Sequence, residues 1–279
     1  MRYVVFGGSG FIGSKVMKQF SEQAVSISSK VVNLSNEDTG WINFFENIPQ
    51  NSTYIYAAGI PSAKSDSFSA FIKNLTMLKN VIKIFEIKKP AKVIFLSSVE
   101  VYGIPNELPV TEKTRLCPET LYGIGKISAE LMLKRWHRQS NVPLAILRIP
   151  GIYGPGSEGM GLIGSLVQSK LENNQFYLYG DGKETRDFVF VEDIARIVYL
   201  LTKKEFKEIM INVATGKSDT ITHIIEIFKS IFGDIPIVRK PKNQICNLGF
   251  KTDLLQKELP QFRFTSLEEG LFRYHNYMK

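Results

Sequence analysis

The sequence predicts an α/β fold with a doubly wound parallel sheet and a smaller C-terminal lobe. Three observations carry this. Short apolar runs alternate with longer amphipathic stretches over most of the chain. Runs such as Val93-Ile94-Phe95-Leu96 are apolar at every position, as strands covered on both faces require. A glycine cluster, Gly7-Gly8-Ser9-Gly10-Phe11-Ile12-Gly13, joins the first apolar run to the first amphipathic one.

In chain order, strands are expected at Tyr3–Phe6, Val25–Ile27, Val31–Leu34, Thr53–Ala57, Lys92–Leu96, Leu144–Ile149 and Met210–Val213. Helices are expected at Ile12–Ser21, Ile42–Asn47, Ser67–Glu86, Ile124–Gln139 and Val191–Lys203. At Gly151–Gly161, rich in glycine and proline, the alternation loosens. Residues 1–150 and 187–213 are therefore expected to form one domain, and 151–186 with 214–279 the smaller lobe.

Composition sets limits. The 279 residues are 44% hydrophobic and 22% charged, so a core can form without disulfides or structural metal. The two cysteines, Cys117 and Cys246, and three dispersed histidines follow no metal-ligand pattern, so no metal is expected. The first apolar run stops at Gly7, and no stretch reaches the roughly 18 apolar residues of a membrane span. A soluble cytoplasmic protein with no membrane partner is expected. The net charge of +8 is spread along the chain. Its densest cluster, Arg239-Lys240-Pro241-Lys242, lacks interleaved aromatics, so a solvated surface is expected rather than a nucleic-acid partner. An anionic small substrate suits this balance.

The glycine loop is the sharpest signal. It satisfies G-x-G-x-x-G at Gly8, Gly10 and Gly13, and G-x-x-G-x-x-G at Gly7, Gly10 and Gly13. Between a strand and a helix, such glycines let the backbone turn tightly and approach a pyrophosphate. The new helix presents unpaired N–H groups and its positive dipole end to that anion, at Phe11, Ile12 and Gly13. This places a dinucleotide on a Rossmann-type domain. The second strand runs into Ser26-Ile27-Ser28-Ser29-Lys30, where an acid usually holds the adenosine ribose. Ser28, Ser29 and Lys30 instead suit a 2′-phosphate, so NADP is expected; NAD bound through other contacts is the alternative.

Tyr122 and Lys126 stand four residues apart, on one face if the stretch is helical. A nearby ammonium favours phenolate and lowers a tyrosine from its usual value of about 10, which suits proton exchange with a hydroxyl or ketone. Ser98 lies at the end of a buried strand, where open α/β sheets place ligands. It either hydrogen-bonds the oxygen that Tyr122 protonates or simply caps a turn.

The glycine loop, Ser98, Tyr122 and Lys126 together resemble the cofactor loop and Ser-Tyr-Lys triad of the extended short-chain dehydrogenases, the NAD-dependent epimerase/dehydratase family. The likeness runs over almost the whole chain. Ala57-Ala58-Gly59 resembles the family's loop beside the cofactor, and Asn74 and Asn80 fall at the spacing of its next helix. Pro118 and Thr120 match its lead-in to the active tyrosine. The resemblance implies that Tyr122 is the general acid/base, that Lys126 holds the nicotinamide ribose and tunes Tyr122, and that Ser98 polarises the substrate C–O group. Ala57, Ala58, Gly59 and Asn74 would line the cofactor. Arg148–Gly156 resembles the segment that closes over cofactor and sugar, and Tyr179–Val189 the stretch whose arginine, here Arg186, meets a nucleotide diphosphate. An ion pair of Arg186 with Asp187, Glu192 or Asp193 is the alternative. A homodimer through Ser67–Glu86 and Ile124–Gln139 is implied too; ordinary core facing the sheet is the alternative for their apolar residues.

Departures narrow the chemistry. Val99-Glu100 replaces the family dehydratases' Asp-Glu pair, and valine has no proton for a departing hydroxyl, which disfavours dehydration. Glu100 either touches substrate or makes a structural hydrogen bond. Gly151 stands where many nucleotide-sugar enzymes carry asparagine, removing one donor to the substrate. The expected activity is reduction of a 4-keto-6-deoxy nucleotide-sugar at C4. A UDP-hexose-type 4-epimerase is the alternative, and a non-catalytic cofactor-binding regulator the third reading.

Overall fold

The computed structural model describes residues 2–36, 42–242 and 245–279. In chain order the elements are β1 (Tyr3–Phe6), α1 (Phe11–Phe20), β2 (Ala24–Ile27), α2 (Ile42–Glu46), β3 (Thr53–Tyr56), α3 (Phe68–Lys88), β4 (Lys92–Ser98), α4 (Leu121–Ser140) and β5 (Leu144–Ile149). There follow β6 (Gly151–Tyr153), α5 (Gly161–Leu171), β7 (Phe176–Tyr179), β8 (Thr185–Arg186), β9 (Phe188–Phe190), α6 (Val191–Thr202) and β10 (Glu208–Asn212). The chain closes with β11 (Asp219–Thr220), α7 (Ile221–Phe232), β12 (Ile237–Lys240), α8 (Asp253–Glu258) and α9 (Leu267–Tyr277).

Two compact units emerge. The first comprises Met1–Gly103, Leu116–Arg148 and Ile194–Ile211; the second Ile104–Arg115, Ile149–Asp193 and Asn212–Lys279. Residues 104–115, 149–150, 187–193 and 212–213 thus fall with the second unit, where the sequence reading had them in the first. In the first unit a six-stranded sheet runs in the order β10-β5-β4-β3-β1-β2. β1 pairs in parallel with both β2 and β3, and β3 with β4. This is the Rossmann-type arrangement. The chain leaves β1 to one side for β2 and returns to the other for β3, so the sheet's order reverses beside β1. The carboxyl ends of strands at such a reversal form a crevice for ligands. Both β4 and β5 are buried along their whole length, which explains their continuous apolar runs.

One expected strand is absent. Val31–Leu34 is a loop in which the amides of Val31 and Val32 turn back to the Ser28 carbonyl at 3.0 and 2.9 Å. Val32 and Leu34 still enter the core. The Asn80 amide nitrogen donates to the carbonyls of Leu34 and Asn36, each at 2.9 Å, supplying what a neighbouring strand would have given. Ala57-Ala58-Gly59 consequently follows the third strand, not the fourth.

The second unit packs α5, α7 and α9 around three two-stranded sheets, β6-β9, β7-β12 and β8-β11. Phe228, Leu271 and Tyr274 are fully buried in its core. Among the described residues no helix is long and apolar enough to cross a membrane, and no cluster of side chains is suited to hold a metal ion.

Candidate active site

The glycine loop is shaped by contacts that exclude side chains. Gly7 leaves β1 with φ +80°, a conformation that favours glycine, and its amide donates to the Ile27 carbonyl at 2.7 Å. A Cβ on Gly13 would stand 2.0 Å from the Gly7 carbonyl oxygen, and one on Gly7 2.8 Å from the Ala58 backbone. α1 is thereby drawn close under the loop, with Gly10 at its N-cap bringing no side chain to its first amides. A hollow with open amides at a helix start fits a dinucleotide pyrophosphate. Ser28 is nearly buried at the carboxyl end of β2, while Ser29 and Lys30 are exposed in the turn beyond it. Asn74 commits both ends of its amide to Ile60, accepting from its N–H at 2.8 Å and donating to its carbonyl at 3.0 Å. Its contribution is to hold the Ala57–Ile60 loop.

At the end of β4 the chain enters a 3-10 turn, Val99–Tyr102. The Ser98 hydroxyl accepts from the Glu100 amide at 3.1 Å, so it does cap this turn. Glu100 is held from two sides: Ser62 donates to Oε1 at 2.7 Å and Thr120 to Oε2 at 2.8 Å. Thr120 also accepts from the Gly123 amide at 2.9 Å, capping α4. Glu100 thus ties the turn to the helix start, and a Cβ on Gly123 would meet its carbonyl oxygen at 2.7 Å.

This seating brings Tyr122 and Lys126 together on one face of α4. The Lys126 ammonium lies 5.4 Å from the centre of the Tyr122 ring and 4.7 Å from that of Phe95, and it donates to the Leu96 carbonyl at 2.7 Å. Burial pushes Lys126 down to about 8, opposed by Glu130 and Glu100. Tyr122 departs from expectation. Burial, with Glu100 adding to it, pushes its phenol well above the ordinary range. Lys126 sits over the ring and is bound to Leu96, so the anticipated lowering of Tyr122 is not realised in this state.

Gly125, between the two, is not required by space: a Cβ there would rest 3.5 Å from Phe71, an ordinary contact. Gly125→Ala is expected to stabilise the protein by about 1 kcal/mol through helix propensity, with activity unchanged. Thermal melting beside a turnover assay checks this.

In the second unit Arg186 pairs with none of the acids proposed for it. Asp187 accepts from Thr215 and the Gly216 amide, Asp193 from Thr265, and Glu192 faces Arg273. The Arg186 partner is Glu184, at 3.5 Å, together with the carbonyls of Thr185 and Cys246. Burial alone would push Glu184 up, but Lys242, at 2.6 Å, and the Cys246 amide bring its carboxyl below the ordinary value. Arg186 is thus held by backbone and one buried carboxylate in the wall of a cavity of about 710 Å³ that Lys217 and Arg263 also line. Gly151 has a steric reason. Its Cβ would lie 2.6 Å from the Phe188 ring, which takes the space an asparagine would need.

Sequence reasoning missed Glu130, Arg148 as its partner, Glu184 and Lys242. Arg148, expected in a segment closing over the ligand, is instead buried against Glu130, with Nη2–Oε2 2.7 Å and Nε–Oε1 3.0 Å.

A family model described as the NAD dependent epimerase/dehydratase family matches residues 3–214. A putative UDP-glucose 4-epimerase of Methanocaldococcus jannaschii is 28% identical over 99% of this chain and 98% of its own. The UDP-glucose 4-epimerase of Thermotoga maritima, solved with UDP-glucose, shares the fold with a TM-score of 0.85 at 24% identity, covering 100% of this chain and 98% of that one. The UDP-glucuronic acid 4-epimerase of Bacillus cereus, solved with UDP-glucuronic acid and NAD, does so with a TM-score of 0.84 at 20% identity, covering 100% and 99%.

Proposed function

The chain belongs to the NAD dependent epimerase/dehydratase family, and on that premise we propose that it inverts C4 of a UDP-hexose with NAD as cofactor. The observation that carries the reading is Tyr122 and Lys126 packed together beside the end of β4, in a chain similar to a putative UDP-glucose 4-epimerase over 98% of that relative and to a UDP-glucose 4-epimerase of Lactobacillus helveticus over 85% of it. When bound, NAD would supply the acceptor and donor of the C4 hydride. The amides opening α1 would hold its pyrophosphate, and Lys126 its nicotinamide ribose. Tyr122 takes the proton from the sugar C4 hydroxyl and returns it to the same oxygen once C4 has inverted. Ser98 donates to that oxygen and keeps it in line. Dehydration is disfavoured, since Val99 offers no acid.

This order reverses the sequence expectation, which put reduction of a 4-keto sugar first. Reduction stays the second reading because Ser28-Ser29-Lys30 offers no acid for an NAD ribose. Mass spectrometry of the purified protein separates the two. Tightly retained NAD is expected; an empty site that takes up exchangeable NADPH would favour the reductase.

Arg186 is assigned the substrate diphosphate, for which its planar fork and fixed seat suit it. Arg186→Met is expected to raise KM for the UDP-sugar by about 10- to 100-fold, the worth of hydrogen bonds to a charged group. Steady-state kinetics reads this directly. The chain is assigned a homodimer through α3 and α4, whose outer faces expose Phe68, Ile72, Leu131 and Met132. Light scattering is expected to give twice the chain mass, and Leu131→Glu a monomer.

A further inference from the structure

Consecutive residues at the end of β4 are each tied to α4 or the turn beyond it. The Leu96 carbonyl accepts from Lys126, the Ser97 hydroxyl donates to Glu130 at 2.6 Å, and Ser98 caps the turn. Glu130 lies one helical turn beyond Lys126 and is 2% exposed. It is gripped by two Arg148 nitrogens, and the third, Nη1, donates to the Tyr102 hydroxyl at 2.9 Å. The turn, α4, β4 and β5 are therefore joined at one carboxylate and one guanidinium, with no water needed between them.

A buried ion pair is a weak device for stability, because desolvation offsets most of the attraction. Its place here has another use. We infer that Glu130, gripped by Arg148, is a positioning residue of the active site that seats the Lys126 turn of α4 against the end of β4. The inference rests on the proposed use of Lys126 in catalysis.

The groups facing Lys126 are few. Tyr122 and Glu130 lie on its own helix, Glu100 on the turn after β4, and the uncharged Phe95 ring on β4; Tyr56 of β3 lies beyond Tyr122. Burial draws the ammonium down to about 8, and the two carboxylates resist that fall, Glu130 more than Glu100. Glu100 is already shared between Ser62 and Thr120. Removing the Glu130 charge takes away the larger support.

The test is the titration of Lys126 in protein carrying ¹³C at lysine Cε, its resonance assigned with Lys126→Met. In the unaltered chain the midpoint is expected near 8. Glu130→Gln keeps the shape, and the midpoint is expected to fall by about one pH unit or more. The basic limb of kcat/KM should move down with it while KM for the sugar nucleotide holds. Glu130→Gln with Arg148→Met removes both charges and keeps a packed core, the kind of replacement that is commonly tolerated. It should show a downward shift too, smaller because the opposing Arg148 charge goes with that of Glu130, so misfolding of the single variant does not shield the inference. An unmoved midpoint in either folded variant overturns it, as does failure of both to fold, which would leave the pair a purely structural role. The resonance reports without turnover. A shift in a chain that inverts no UDP-hexose sinks the proposed activity alone; inversion without a shift sinks the positioning role alone.

Discussion

Tyr122→Phe is expected to lower kcat by about 10²- to 10⁴-fold, the usual worth of a positioned acid/base, while NAD binding and stability stay close to those of the unaltered chain. The separation follows from what the hydroxyl does in this structure. Among the described residues the Tyr122 side chain makes no hydrogen bond, and the ring's packing beside Lys126 survives in phenylalanine. The backbone amide, which donates to Asp66 at 2.9 Å, is untouched. The fold therefore loses little and the chemistry loses its proton carrier. Single-turnover kinetics with a melting curve and a cofactor titration reads all three quantities. A variant that turns over at the original rate would remove Tyr122 from the mechanism.

Arg148→Met alone is expected to destabilise the chain by about 3–5 kcal/mol. The side chain is 2% exposed, and its loss leaves the Glu130 carboxylate buried without a cation. Ser97 still donates to Glu130, but a hydroxyl does not neutralise a charge. Adding Glu130→Gln should restore most of the stability, because the unpaired charge goes with it. Urea denaturation of the two single variants and the double variant forms the cycle that measures this. Equal loss in the double and the single variants would mean that packing, not charge, dominates the site.

What the sequence made legible was local. The glycine loop is legible because close approaches, such as that of Gly13 to Gly7, lie a few residues apart and leave a fixed spacing. The Tyr122–Lys126 pair follows from helical period in the same way. The partners of charged groups were not legible. Glu184 lies two residues before Arg186, but Lys242 and Cys246, which complete the cluster, lie about sixty residues along, brought there by the fold. Glu130 and Arg148 had a signal that went unused. An arginine in the run Leu144-Ala145-Ile146-Leu147-Arg148-Ile149 sits in a strand with no exposed face, where an unpaired charge is prohibitive, so a buried acid had to exist. Val31–Leu34 failed for the opposite reason. Alternating Val and Leu mark burial, and a loop whose carbonyls are met by Asn80 buries them as well as a strand does.

The central claim is inversion at C4 with the hydride kept on the enzyme between its departure and return. Its most direct test is incubation with UDP-glucose deuterated at C4, followed by NMR of the sugar. The account predicts UDP-galactose that retains its deuterium at C4, formed without net consumption of NAD. No inversion of UDP-glucose or UDP-glucuronic acid, alongside stoichiometric oxidation of NADPH by a 4-keto sugar nucleotide, would contradict it.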